Sequence, residues 1–166
     1  MLKKLFLVLC LCATLSLSAD MGADGAPINK GNVTWQPVKY VDPDRDMRAQ
    51  LPGKVTKNES AAELSIESSH GEGLYKINIY NIMIPKDPKI ILAMVNAQPG
   101  VTGKIAGKKE LLPKNCVHLI TFEKADKGKV VAMGRVYVTK NAAYNFIIQG
   151  DLSLADKIFE TVDIRK

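Results

Sequence analysis

Residues 129–164 read KVVAMGRVYVTKNAAYNFIIQGDLSLADKIFETVDI, and the reading of this stretch decides the fold. Val130–Thr139 and Ala143–Gln149 are rich in Val, Ile, Tyr and Phe, the residues that favour strands, and Lys140-Asn141-Ala142 between them suits a hairpin connection. After Gly150, Ser153 is placed to cap a helix, with Asp156 three residues on as an aspartate form of the capping box. Ala155, Ile158, Phe159 and Val162 then fall at i, i+3, i+4 and i+7, one face of a helix. The expectation is a hairpin followed by a helix over 153–162 that lays its apolar face on a sheet.

Working outward, the preceding elements extend the same pattern. Cys116–Glu123 reads as a strand that turns through Ala125-Asp126-Lys127-Gly128 into the hairpin. Asp87-Pro88 is a helix start, an N-cap followed by proline at the first helical position, and Gln98-Pro99-Gly100 is a stop. Between them Ile90–Ala97 is apolar except for Asn96, so a largely buried helix over 88–98 is expected. In Leu74–Ile84, Tyr75, Ile77 and Ile79 face one way while Tyr80, Ile82 and Ile84 face the other, which predicts a central strand covered on both faces. Glu63–Glu67 alternates and should have one wet face. Val33–Val41 is interrupted by Pro37 and reads as an edge or covering segment. A short extended piece around Met47–Leu51 is stopped by Pro52-Gly53. Strands joined by short turns imply an antiparallel sheet, and two apolar-faced helices imply layers on it. The sequence therefore predicts an α+β fold, an α/β/α sandwich with a mainly antiparallel central sheet.

The N-terminus is of another kind. Met1-Leu2-Lys3-Lys4 is a positive n-region, Leu5–Leu17 an apolar h-region, and Ser16-Leu17-Ser18-Ala19 a small-residue cleavage site. The apolar run is shorter than the roughly 20 residues a membrane-spanning helix needs. Residues 1–19 thus read as an export signal, 20–32 as a flexible leader, and 33–166 as one domain, soluble and either periplasmic or secreted. Leu9 and Leu11, not small residues, precede Cys10 and Cys12, which is against a lipoprotein signal. Without residues 1–19 the only cysteine left is Cys116, so no intramolecular disulfide is expected.

Of 23 Lys and Arg, Lys3 and Lys4 leave with the signal; 21 against 17 Asp and Glu is a net +4. That is far from a nucleic-acid-binding signature. The whole excess sits in Lys104–Lys129. Seven lysines (Lys104, Lys108, Lys109, Lys114, Lys124, Lys127, Lys129) stand there against Glu110, Glu123 and Asp126. If the domain has a partner, this patch suits an acidic protein or an anionic membrane surface; the plainer reading is a solvated rim.

Catalytic signals are sparse. Cys116 and His118, two apart on a predicted strand, would share a face and could form a thiol–imidazole dyad. Their phase continues into Ile120 and Phe122, which reads as core: a structural cysteine and a partnered histidine. The two histidines form no spaced metal cluster with Cys or acidic residues, and Gly100, Gly103 and Gly107 lack the spacing of a phosphate loop. No cofactor is expected. Asn32-Val33-Thr34 and Asn58-Glu59-Ser60 match the glycosylation sequon, which has meaning only in a eukaryotic secretory pathway.

The piece ending in Leu51-Pro52-Gly53-Lys54 and the closing strand–turn–strand–helix of residues 134–164 resemble the bacterial PsbP-like domains. The resemblance covers residues 45–164. It implies an α/β/α sandwich, the fold also used by a Ran-binding nuclear import factor, and a mainly non-enzymatic family of exported accessory proteins. No functional residue carries over by position. The functional expectation is an exported, non-catalytic binding domain. The alternatives are a carrier of a small apolar ligand beneath Ile90–Ala97, and a thiol hydrolase using Cys116 and His118.

Overall fold

The computed structural model describes residues 33–61, 63–80, 87–106 and 112–165. The expected signal, 1–19, and leader, 20–32, lie outside them. The described chain is mostly β, and the predicted α/β/α sandwich with two packed helices is not what it forms. Strands β1 (Trp35–Val41), β2 (Asp46–Pro52) and β10 (Asp163–Ile164) make a three-stranded sheet in the order β1-β2-β10. The second sheet has seven strands: β3 (Lys54–Glu59), β4 (Glu63–His70), β5 (Gly73–Tyr80), β6 (Val101–Ile105), β7 (His118–Asp126), β8 (Lys129–Val138) and β9 (Ala143–Gln149). Its order is β3-β4-β5-β9-β8-β7-β6, and every described pairing in both sheets is antiparallel.

The reason for the correction lies in what covers the inner face of the large sheet. A second long helix was expected there; the three-stranded sheet takes most of that place. Val38, Met47, Ala49 and Leu51 of the small sheet pack against Ile66, Tyr75, Ile77, Ile79, Tyr144, Phe146 and Ile148 of the large one. Each large apolar side chain so enclosed contributes about 1.5–3 kcal/mol. Helix α2 (Ala155–Glu160) is only six residues long and joins the same cluster through Ala155, Ile158 and Phe159. It is shorter than the predicted 153–162 because the capping box does not form. The Ser153 amide donates to Asp151 Oδ1 at 2.9 Å, a turn upstream of the helix, and Leu154 stands at the N-cap with no side-chain bond.

The chain crosses from small sheet to large at Gly53. Its φ of +80° and a Cβ position 2.0 Å from the Ser69 carbonyl oxygen leave room for glycine alone. The opening hairpin forms as read: β8 pairs with β9 from Ala132↔Gln149 to Val138↔Ala143. β7 turns into β8 through Lys127 and Gly128, both at positive φ, a two-residue loop of the kind that matches strand twist.

Helix α1 (Pro88–Asn96) lies on the outer face, against β6 and β7. It starts as predicted, with Asp87 Oδ1 accepting from the Lys89 amide at 2.8 Å and Pro88 in the first turn. It is less buried than predicted: only Ile91 and Val95 are enclosed, and Ile90 is 45% exposed. β5 is internal to the sheet, as expected, but it is not apolar on both faces. Its described outward residues include Lys76 and Asn78 beside Tyr80, and Ile82 and Ile84 lie outside the described residues.

Candidate functional site

The outer face of the large sheet is divided. Over β7 and β8 it is apolar, and Ile120, Phe122, Val136, Val138 and Ala143 meet Ile91 and Val95 of α1. Over β4 and β5 it is polar. Side chains alternate across a strand, so the inward set Leu64, Ile66, Tyr75, Ile77 and Ile79 leaves Glu63, Ser65, Glu67, Lys76, Asn78 and Tyr80 on the outer side. The same rule turns Asn145 outward between Tyr144 and Phe146.

Register brings these residues together. Ser65 stands opposite Asn78, and Asn78 opposite Asn145, a polar row across three adjacent strands. Directly opposed side chains have Cβ atoms about 4.5–5.5 Å apart. The row is enclosed, with Ser65 5%, Asn78 2% and Asn145 7% exposed. Glu67 stands opposite Lys76, and Glu63 opposite Tyr80, flanking the row on either side.

Part of this cluster is satisfied. Lys76 Nζ lies 2.9 Å from Glu67 Oε1, Ser65 Oγ donates to the same oxygen at 3.1 Å, and Asn145 Nδ2 donates to the Tyr80 hydroxyl at 3.4 Å. Among the described residues, three buried acceptors of this cluster have no hydrogen-bond partner: Asn78 Oδ1, Asn145 Oδ1 and Glu63 Oε2. The two carboxyls differ accordingly. The hydrogen bond from Lys76 holds Glu67 below the usual carboxylate range, whereas burial pushes Glu63 above it. The charge of Glu67 adds to the rise at Glu63, and Lys76 opposes it.

The end of β5 is held from the small sheet. Arg45 Nη1 donates to the Tyr80 carbonyl at 3.1 Å, and Arg45 Nε to Asp42 Oδ2 at 2.6 Å. Asp42 also accepts from the Tyr40 hydroxyl at 2.8 Å and the Asp44 amide at 2.9 Å. Burial alone would raise the Asp42 carboxyl, but these bonds outweigh it and hold it at about 2. Tyr75 and Tyr144 bury hydroxyls without partners too, but inside the closed apolar cluster between the sheets.

The five described lysines of the expected patch stand at separate places. Lys127 and Lys129 stand at the β7–β8 turn, with Lys124 nearby and Glu123 and Asp126 interleaved. Lys104 pairs with Thr121, while Lys124 follows Phe122 by two, which puts the two lysines on opposite faces. Lys114 precedes the far end of β7, whose ends are about 26 Å apart at roughly 3.3 Å per residue. There it lines a surface groove of about 370 Å³ with Asn115, Asp163, Ile164 and Arg165. Lys108 and Lys109 lie outside the described residues.

Cys116 and His118 are likewise separated. Cys116 lies before β7 and packs on the inner cluster, whereas His118 is in phase with Ile120 and Phe122 on the outer face. Burial pushes the Cys116 thiol up to about 12, the wrong direction for a nucleophile. Beneath α1, β6 approaches closely at Gly103. A Cβ on Gly103 would come within 2.9 Å of Val95 Cγ1 and 3.1 Å of Leu92 Cδ1, and the Gly103 amide donates to Asn96 Oδ1 at 2.6 Å. Among the described residues no three His, Cys, Asp or Glu are grouped to hold a metal, and no helix is long and apolar enough to cross a membrane. No family model, curated protein or solved structure matches the chain.

The polar row is masked in the sequence by the apolar phase of Tyr75, Ile77 and Ile79, with which its residues alternate. Lys76 and Asn78 within a strand flanked by apolar neighbours were the available signal, as was Asn145 between Tyr144 and Phe146.

Proposed function

We propose that this protein is an exported, non-catalytic binding domain that takes a polar group of its ligand onto the Ser65–Asn78–Asn145 row. One observation carries the reading. Two neighbouring asparagines, both more than nine-tenths buried, keep acceptor oxygens without partners on a face whose other half is closed by a helix. A buried polar atom left unpaired costs about 1–3 kcal/mol, so an apolar residue at either position would make the more stable sheet. Unlike the unpartnered tyrosine hydroxyls of the inner cluster, these two oxygens stand side by side on a polar face with Glu63 and Lys76. The export half of the proposal rests on residues 1–19.

The test is a ligand-observed NMR screen of small polar compounds against the purified protein, repeated with Asn145→Leu. Compounds that bind the wild type and lose their signal with the variant support the proposal. A screen with no compound sensitive to Asn145→Leu, while both proteins show the same dispersed backbone spectrum, overturns it.

A further inference from the structure

We infer that the ligand group held on this row is a primary ammonium. The inference rests on the binding reading above and specifies its chemistry. The cluster carries two carboxylates, Glu63 and Glu67, against one cation, Lys76, and that cation is engaged by Glu67 at 2.9 Å. Among the described residues Glu63 has no ion pair of its own, although the Lys76 charge acts on it, and its Oε2 is one of the three buried acceptors without a partner. The other two are the Oδ1 atoms of Asn78 and Asn145.

Counted over the described residues, the cluster therefore carries one net negative charge and three acceptors without donors. A primary ammonium supplies one charge and three N–H donors, with no acceptor to clash with the oxygens it meets.

Register places Asn78 between the other two acceptors. Asn78 and Asn145 are directly opposed on β5 and β9. Glu63, opposite Tyr80 on β4, is the diagonal neighbour of Asn78 at about 7–8 Å between Cβ atoms, within reach of a glutamate side chain. With Asn145 Nδ2 donating to the Tyr80 hydroxyl, the Oδ1 of that amide is left without a partner. An anion would meet three oxygens and a net negative cluster. A neutral donor would satisfy the amides and leave Glu63 unmatched.

The probe is methylammonium, titrated into ¹⁵N-labelled protein while the side-chain amide resonances of Asn78 and Asn145 are followed. Sodium chloride at equal ionic strength and tetramethylammonium, which has the charge but no N–H, are the controls. The expected result is a saturable shift of both amides with methylammonium and none with either control. Glu63→Gln, which keeps the shape and removes the charge, should weaken binding at least tenfold with an unchanged backbone spectrum. If acetamide binds as well as methylammonium and Glu63→Gln binds equally, the row is a site that does not read charge; the ammonium inference then fails while the binding proposal stands. Equal shifts with tetramethylammonium or sodium overturn the inference as well. If no probe moves either amide and both instead show contacts to a long-lived water, the row is hydrated structure and both proposals fall.

Discussion

At the scale of single residues, what distinguishes this sheet is which polar groups are matched. Glu67 has a lysine and a serine on one oxygen; Glu63, four residues earlier on the same face of β4, has neither. Asp42 is the opposite case to Glu63, a carboxylate collecting Arg45, Tyr40 and the Asp44 amide. Its consequence for stability has a definite sign. The folded carboxyl, held at about 2, lies below its ordinary value of 3.8. A depressed carboxylate stabilises the fold above its unfolded value, and that contribution is lost as pH falls toward the folded one. Asp42→Asn should therefore lower the melting temperature at pH 7, and the gap from wild type should close between about pH 4 and pH 2. Thermal denaturation of both proteins across that range checks it; a gap independent of pH would mean the Asp42 charge does not hold the β1–β2 turn.

At the scale of elements, the instructive case is α2. Its six residues form no stable helix alone, since isolated helices shorter than about 12–15 residues are marginal in water. What keeps it is docking. Ile158 and Phe159 are buried, and the Arg135 guanidinium lies 4.1 Å from the centre of the Phe159 ring. Phe159→Ala should cost about 3–5 kcal/mol and Ile158→Ala about 2–5 kcal/mol. Urea unfolding reads this directly, and unchanged midpoints for both variants would show that α2 does not stabilise the fold. α1 shows how far local signals carry. Asp87-Pro88 set its start correctly, because capping is decided within one turn, yet nothing local revealed that Ile90 would be exposed. Which side of a short apolar helix meets the sheet depends on where Gly103 lets it approach.

At the scale of the whole molecule, a seven-stranded sheet is closed on its inner face by a second sheet and on part of its outer face by one helix. The enclosed side is lined with apolar side chains, and the polar row lies on the other. If residues 1–19 act as an export signal, intact-mass measurement of the protein recovered outside the cytoplasm should show a chain starting near Asp20. A mass that retains Met1–Ala19, or carries a lipid on Cys10 or Cys12, would overturn that reading.

What the sequence determined by itself is the set of features that a few neighbouring residues decide. The β8–β9 hairpin, the inward phase of Tyr75, Ile77 and Ile79, the turn at Lys127-Gly128 and the Asp87 cap all depend on alternation, turn chemistry or capping within a short window. The second sheet was not legible in that way. β10 is two residues long, and it pairs with β2 across more than a hundred residues of chain, so no local pattern announces it. With Pro37 in β1 and Pro52 closing β2, those segments read as isolated coverings, and the inner face was assigned to a helix instead. The candidate site was divided along the same line. Ser65, Asn78 and Asn145 are each an unremarked polar residue in a strand; only the register of β4, β5 and β9 sets them side by side. Burial of that face, with its unpaired oxygens, is a property of strands assembled from distant parts of the chain, and so the tertiary structure alone decided it.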